Sequence, residues 1–478
     1  MRWLRGLAVV ACLGLLGAAP AKVDWGRAAV EDLTAMHDIV RDNHPGPVDP
    51  LDPGFNDWLG QGERKLMAQA RAARSEHDYQ LVLRDYANGF GDGHLNVAMN
   101  DAQTHVWPGF LVRADAMGAP LLVALLDDGP AGLALGDELL SCGGVPAREM
   151  LQERVLRPLL NPHVPQRLML KSGWLMVVDA DDRKSQAASC VFEIAGRDEV
   201  VGLRWRPIDG AALTAALQKS SGIEIPAIGV RQIGDVWLIS LPTFDPEGAQ
   251  VGQLQALTAF LQSHAAMLHA ARHVVIDLRG NDGGDDDWGD GVLGALWGDD
   301  AVNAVEGSEG ATVDWRVSAR NEAALRGNAA RAGADAQPDA VAYYDGLAAR
   351  MAGALAAGEV FMPESYPAAG VMPKLTSPFA HPVYVLTTPH CASACLDFLD
   401  TANEFPGVVR IGLETSADTD YLDTAAAVLP SGHATLHYAM KVFRGRKRAA
   451  NAAYEPQIMW PGGVMGDASV AAWVAALP

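Results

Sequence analysis

The sequence predicts an α/β protein with a layered core, and three patterns along its 478 residues carry that prediction. From about residue 228 short apolar runs alternate with helical periodicity, as strands linked by crossover helices do. Ahead of that, residues 27–88 repeat apolar side chains at helical spacing, and residues 105–205 read mostly as strands and turns. A length prior of about 150 residues per domain gives about three domains. The expected division is a leader at 1–21, a helical domain at 22–100, a β-rich middle at 101–225 and an α/β core at 226–478. An Ala-rich helical insertion is expected within the core at about 300–375.

Composition narrows the function classes. With 49% hydrophobic and 20% charged residues, collagen, disorder and a multi-span membrane protein are excluded. A formal charge of −21 repels phosphate, so nucleic acid is not an expected partner.

The elements follow in chain order. Arg2 and Arg5 precede an apolar stretch from Gly6 to Gly17, and Ala19-Pro20-Ala21 satisfies the small-residue cleavage rule. This reads as a signal peptide, too short for a stable membrane span. Val9-Val10-Ala11-Cys12 resembles a lipobox, but the apolar run continues past Cys12, which favours cleavage after Ala21. The expected location is the periplasm or the cell exterior. Val30, Leu33, Met36 and Val40, then Phe55, Leu59, Leu66 and Met67, then Tyr79 to Tyr86 mark helices, interrupted by a Pro/Asp turn at Pro45–Pro53. Gly89-Phe90-Gly91-Asp92-Gly93 leads into a short strand, His94 to Met99. The run from Gly129 to Leu140 into Cys142-Gly143-Gly144-Val145-Pro146 resembles the second half of a PDZ domain, and equally suits any Gly-rich hairpin. In the core, strands are expected at Val236–Leu241, Val274–Leu278, Val383–Thr387, Val408–Ile411 and His433–Val442. Helices are expected at Val251–Leu268, from near Cys391–Ser393, and at Ala468–Ala476.

Two strand ends carry candidate chemistry. The segment Val383–Asp400 runs from an apolar strand through a sharp turn to Ser393 at a helix start. There free N–H groups and the helix dipole favour a developing oxyanion. A serine in that place is also a common N-cap. The second segment, Val274–Asp290, opens a buried strand into a turn with Gly280, Gly283 and Gly284, where backbone N–H groups can face a ligand. The acidic run Asp285–Asp287 lacks calcium-loop spacing and reads as solvated. No C-x2-C, H-E-x-x-H, P-loop, G-x-S-x-G or S-x-x-K pattern occurs, so neither metal nor cofactor is expected. After the leader, Cys142, Cys190, Cys391 and Cys395 allow three pairings; proximity favours Cys142–Cys190 and Cys391–Cys395.

Together these motifs are specific. Asp277-Leu278-Arg279-Gly280-Asn281-Asp282-Gly283-Gly284, followed by Ala392-Ser393-Ala394, resembles the D-x-R-x-N-x-G-G and S-A motifs of the tail-specific (C-terminal processing) and tricorn-core serine peptidases. Phe90-Gly91-Asp92-Gly93-His94 resembles that family's D-G-H segment. The resemblance implies a crotonase-like α/β core, Ser393 as nucleophile, and the N–H groups of Gly283 and Ala394 as oxyanion hole, with Gly284 beside the substrate. In the C-terminal processing branch a lysine ends a G-x-x-T-x-G-K stretch; the corresponding Gly412–Asp418 ends in Asp418. The tricorn-type branch instead implies His94 as general base and Glu455 as its late glutamate. An imidazole suits proton abstraction at neutral pH. His390, three residues before Ser393, is placed to line the pocket rather than act as base.

Against the acidic background stands a basic stretch, Lys441, Arg444, Arg446, Lys447 and Arg448. It reads either as a solvated strand end or as an anion site in which Arg444 and Arg446 hold a substrate carboxylate. The expected activity is an exported serine peptidase acting on peptide or protein substrates. The alternatives are an esterase-like hydrolase with the same residues, or a non-catalytic binder of peptides or apolar ligands.

Overall fold

The computed structural model describes residues 23–100, 104–114, 121–125, 130, 132–159, 161, 164–180, 182–334, 337–364 and 374–478. The leader, with Cys12 and its cleavage motif, lies outside them. Among the described residues no helix is long and apolar enough to cross a membrane.

Three α-helices open the described residues: α1 (Trp25–Asn43), α2 (Phe55–Ala72) and α3 (Glu76–Asn88). Asp24 and Ser75 cap α1 and α3, each side chain accepting from the backbone N–H three residues on. Their apolar faces, through Leu33, Met36, Leu59, Tyr79 and Leu83, enter one buried cluster with Trp315, Leu436 and Met440. That cluster belongs to a five-stranded sheet built from Asn96–Met99, Thr312–Arg316, Phe361–Pro363, Tyr421–Val428 and Ala434–Arg444. The His433–Val442 strand therefore forms, but it pairs here, with the strand after His94, rather than with the other core strands. Buried Asp32 of α1 ties helices to sheet: it accepts from the Tyr79 hydroxyl at 2.6 Å and from the Ser431 hydroxyl at 2.5 Å. The Ala-rich region contains helices Ala319–Ala334 and Pro338–Ala357, whose Leu325, Leu347 and Met351 are buried in the same cluster.

The second layer system is a six-stranded sheet in the order Gly229–Ile233, Val236–Ser240, His273–Asp277, Val383–Thr387, Val408–Gly412 and Ile458–Met459. The first pair is antiparallel and the rest are parallel. His273–Asp277 and Val383–Thr387 are buried throughout, as strands covered on both faces must be. Val274 and Ile276 face a cluster that includes Leu254, Leu257 and Leu261 of helix Ala249–His269. The alternating Val275 faces Val470 and Val474 of the final helix, Asp467–Val474.

In the middle region, strand Glu138–Cys142 pairs with Ser189–Ile194, placing Cys142 opposite Cys190, and the two are joined by a disulfide. This region is more helical than its sequence suggests. Ala147–Leu151 and the short turns through Ser172–Met176 bury Met150, Leu151, Val155 and Leu175 against the strands. Leu151 and Val155 lie four apart, a spacing that a helical turn presents on one side.

Candidate active site

Parallel strands release their chains at the same end, so neighbouring strands deliver their following loops to one place. His273–Asp277 and Val383–Thr387 are such neighbours, and the Gly-rich turn and the Ser393 turn meet beyond their ends. Asp277 and Arg279, both fully buried, hold the first turn. The Arg279 guanidinium bonds Asp277 Oδ2 at 2.6 Å, the Met465 carbonyl at 2.7 Å and Asp467 Oδ1 at 2.6 Å. Asn281 donates to the Leu241 carbonyl and accepts from the Gly283 N–H, both at 2.9 Å.

Ser393 caps the helix Ala394–Ala402 with φ 53° and ψ −130°, a left-handed φ that a non-glycine residue adopts only when its surroundings impose it. The surroundings are visible. The Cys391–Cys395 disulfide spans the serine, and both half-cystines are fully buried. The Ser416 N–H also bonds the Cys391 carbonyl at 3.0 Å. The Gly283 backbone lies so close that a Cβ there would sit 2.6 Å from the Ala392 carbonyl and 2.9 Å from Ser393 Cβ. Gly283→Ala is therefore expected to shift the serine and lower kcat by about 10²-fold. Gly252→Ala, in open space, should leave kcat unchanged. Steady-state kinetics on the pair checks this.

His94 reaches this serine from the far side of the chain. Its Nε2 lies 3.2 Å from Ser393 Oγ, across 299 residues of sequence. The Asp92 side chain folds back to accept the His94 N–H at 2.9 Å, and the strand that follows pairs with Ala434–Arg444. Fully buried Asp92 also accepts from His44 Nε2 at 3.0 Å and from the Thr419 hydroxyl at 2.9 Å. Burial pushes the Asp92 carboxyl up, but the His44 hydrogen bond and the charges of His44 and His94 outweigh it and hold it below the ordinary value. His94 Nδ1 is buried without a hydrogen bond and stands 3.8 Å from Asp92 Oδ1. Asp418 lines the same cavity, and its Oδ2 is likewise buried without a partner. Burial raises the Asp418 carboxyl, opposed by the charges of Arg448 and His94.

Other expected residues sit elsewhere. Glu455 is exposed, its carbonyl bonded by Arg410, and the structure does not bring it to His94. Arg444 is spent on Asp49 at 2.7 Å and Asp314 at 3.2 Å. Arg446, 5% exposed, pairs with Asp397, Asp400 and Asp418. Lys441, Lys447 and Arg448 are matched by Asp423, Glu404 and the Asp400–Asp418 pair. The basic stretch is thus neither a solvated strand end nor a free anion site. Guanidinium groups taken from water need counter-charges, and the fold supplies them. Gly283 spends its N–H on Asn281, whereas that of Gly284, which lines the cavity with Ser393, has no hydrogen bond among the described residues. The Ala394 N–H, first in its helix, is also unspent. His390 faces Asp282 at 3.6 Å rather than the serine. Asp285–Asp287 are exposed at the start of the next helix.

Sequence reasoning gave no role to Asp92, although it stands two residues before His94, nor to Asp418, where the related lysine would stand. It also passed over Arg84, Arg167 and Lys171, which line the cavity of about 610 Å³ around Ser393 and His94. Nothing in their local sequence marks them.

The chain superposes on mature CPAF with a TM-score of 0.60 at 15% identity, covering 94% of this chain and 95% of that one. For CPAF complexed with lactacystin the values are 0.60, 15%, 94% and 97%. A CPAF mutant gives 0.61 at 14% identity, covering 93% and 95%. At these identities the likeness is one of fold. No curated protein matches the sequence. The model of peptidase family S41 matches residues 235–424, the segment that carries both strand ends and Ser393. The chain thus contains a peptidase family S41 domain, which places it among the serine-type peptidases.

Proposed function

We propose that the protein is an exported peptidase that cleaves peptide bonds through an acyl-enzyme on Ser393, with His94 as general base. The observation that carries this reading is the 3.2 Å approach of His94 Nε2 to Ser393 Oγ at a strained helix start. In the first step Oγ attacks the scissile carbonyl carbon while Nε2 takes the hydroxyl proton. The charge that develops on the carbonyl oxygen falls to the N–H groups of Ala394 and Gly284. Collapse breaks the C–N bond, and the amine leaves with the proton from His94. Water then attacks the ester, giving its proton to His94, and Ser393 recovers its own as the acid departs. Asp92 and Asp418 act as positioning residues that stabilise the imidazolium; they take the part the sequence assigned to Glu455.

Export is supported by the leader at 1–21 and by the two disulfides, which oxidising compartments favour. The largely parallel sheet with helices on both faces suits a crotonase-like core. The hairpin Glu138–Pro146 suits a PDZ-like middle in which strand addition would present substrate.

The test is covalent labelling by a fluorophosphonate, mapped by mass spectrometry. Labelling is expected at Ser393 and should vanish in Ser393→Ala. Absence of labelling of folded protein across neutral pH would overturn the mechanism, and turnover of small esters but not peptides would replace peptidase by esterase.

A further inference from the structure

The charges around the cavity do not cancel evenly. Of its acids, Asp92 is bonded to His44 and Thr419, Asp418 to Arg448, and Asp423 to Lys441 at 2.9 Å. Asp282 takes Arg167 at 2.5 Å and faces His390. Three cations line one side: Arg84 from α3, Arg167 from the turn Pro165–Arg167 and Lys171 from the helix Leu168–Lys171. Arg84 and Lys171, both half-buried, have neither hydrogen bond nor ion pair among the described residues, and Arg167 Nε is buried without a partner. Burial lowers Lys171, and the charges of Arg167 and Arg84 lower it further, so the three crowd one another. Three half-buried cations face two carboxylates, Asp282 beside Arg167 and Lys171 and Asp179 acting on Arg84, and so leave one positive charge in excess beside the serine.

We infer that Arg84, Lys171 and Arg167 form a carboxylate-binding subsite that selects substrates carrying an acidic group near the scissile bond. It rests on the peptidase reading above and deepens it. A carboxylate entering there would gain charge-assisted hydrogen bonds from partly desolvated donors, with a guanidinium offering a bidentate face. It also supplies the anion site that Arg444 and Arg446, already paired, do not form. The carboxylate could belong to an acidic side chain or to the substrate's own C-terminus.

The experiment uses two matched peptide sets with the full-length mature protein. One exchanges Glu for Gln at single positions on either side of the cleaved bond; the other exchanges a free C-terminus for an amide. The wild type is expected to prefer at least one charged member about 10- to 100-fold in kcat/KM, and the set that responds identifies the source. In Arg84→Gln/Lys171→Gln the preference should fall to within a few-fold, while the exposed Lys219→Gln should retain it. Circular dichroism verifies folding; if the double variant unfolds, the single variants Arg84→Gln and Lys171→Gln, each expected to reduce the preference, take its place. No preference in the wild type, or an undiminished one in the folded variants, overturns the subsite. Failure of the peptidase reading is seen separately, as loss of Ser393 labelling. In that event binding of the charged and neutral peptides to Ser393→Ala, by fluorescence anisotropy, decides the subsite alone.

Discussion

In His94→Gln, kcat for peptide hydrolysis should fall by about 10³-fold or more, with KM little changed. Glutamine fills similar space and can still hydrogen-bond the Ser393 hydroxyl, but it cannot take its proton. What is lost is the general-base contribution, typically about 10²- to 10⁴-fold, and with it the acid that protonates the leaving amine. Uniform binding is untouched, because the N–H donors of Ala394 and Gly284 and the cavity walls remain. Steady-state kinetics and the rate of fluorophosphonate labelling should fall together, since both need the serine deprotonated as it attacks. A His94→Gln protein with wild-type kcat would remove His94 from the mechanism. His390 would not stand in for it, being turned toward Asp282.

Arg279→Met should destabilise the α/β core by about 3–5 kcal/mol, the usual effect of removing one partner from a buried ion pair. Arg279 and Asp277 are both fully buried, and the guanidinium also satisfies the Met465 carbonyl and Asp467. Methionine replaces the stem but leaves the Asp277 carboxylate with the Ser240 hydroxyl at 3.3 Å and the Arg279 backbone N–H at 3.1 Å. Neither offsets a buried charge. Adding Asp277→Asn to Arg279→Met should recover part of the loss, because the uncompensated charge goes while the shape stays. Urea unfolding followed by tryptophan fluorescence measures both. A loss below about 1 kcal/mol would mean that the turn is held by something other than this pair. Activity should also fall in Arg279→Met, since the turn it anchors carries Gly283 and Gly284.

Some of this was legible in the residues because it is local. The strand–turn–helix at Val383–Asp400 is written in an apolar run, a Pro-containing turn and small residues around Ser393. The Gly-rich turn is written in Gly280, Gly283 and Gly284, of which Gly283 lies against the serine itself. The helices α1–α3 follow from apolar periodicity and the Pro/Asp turn that interrupts it. The basic stretch was misjudged for a physical reason: local sequence shows charges but not the carboxylates that Asp49, Asp314, Asp397 and Asp400 bring from three other places in the chain. Glu455 was likewise assigned by order along the chain, whereas a carboxylate near His94 requires proximity in space, which Asp92 and Asp418 have.

Local sequence therefore carried the α/β class and the turn that presents Ser393, and the family resemblance put forward Ser393 and His94 as nucleophile and base. Their meeting required packing. His94 faces Ser393 because its strand pairs with Ala434–Arg444 and because buried Asp92, His44 and Thr419 hold the loop before it. The same packing leaves Arg84 and Lys171 at the cavity without an ion pair among the described residues, while it pairs Arg444 and Arg446 with carboxylates. Backbone preferences act over a few residues and can be read along the chain; charge pairing and desolvation depend on distances that exist only after folding.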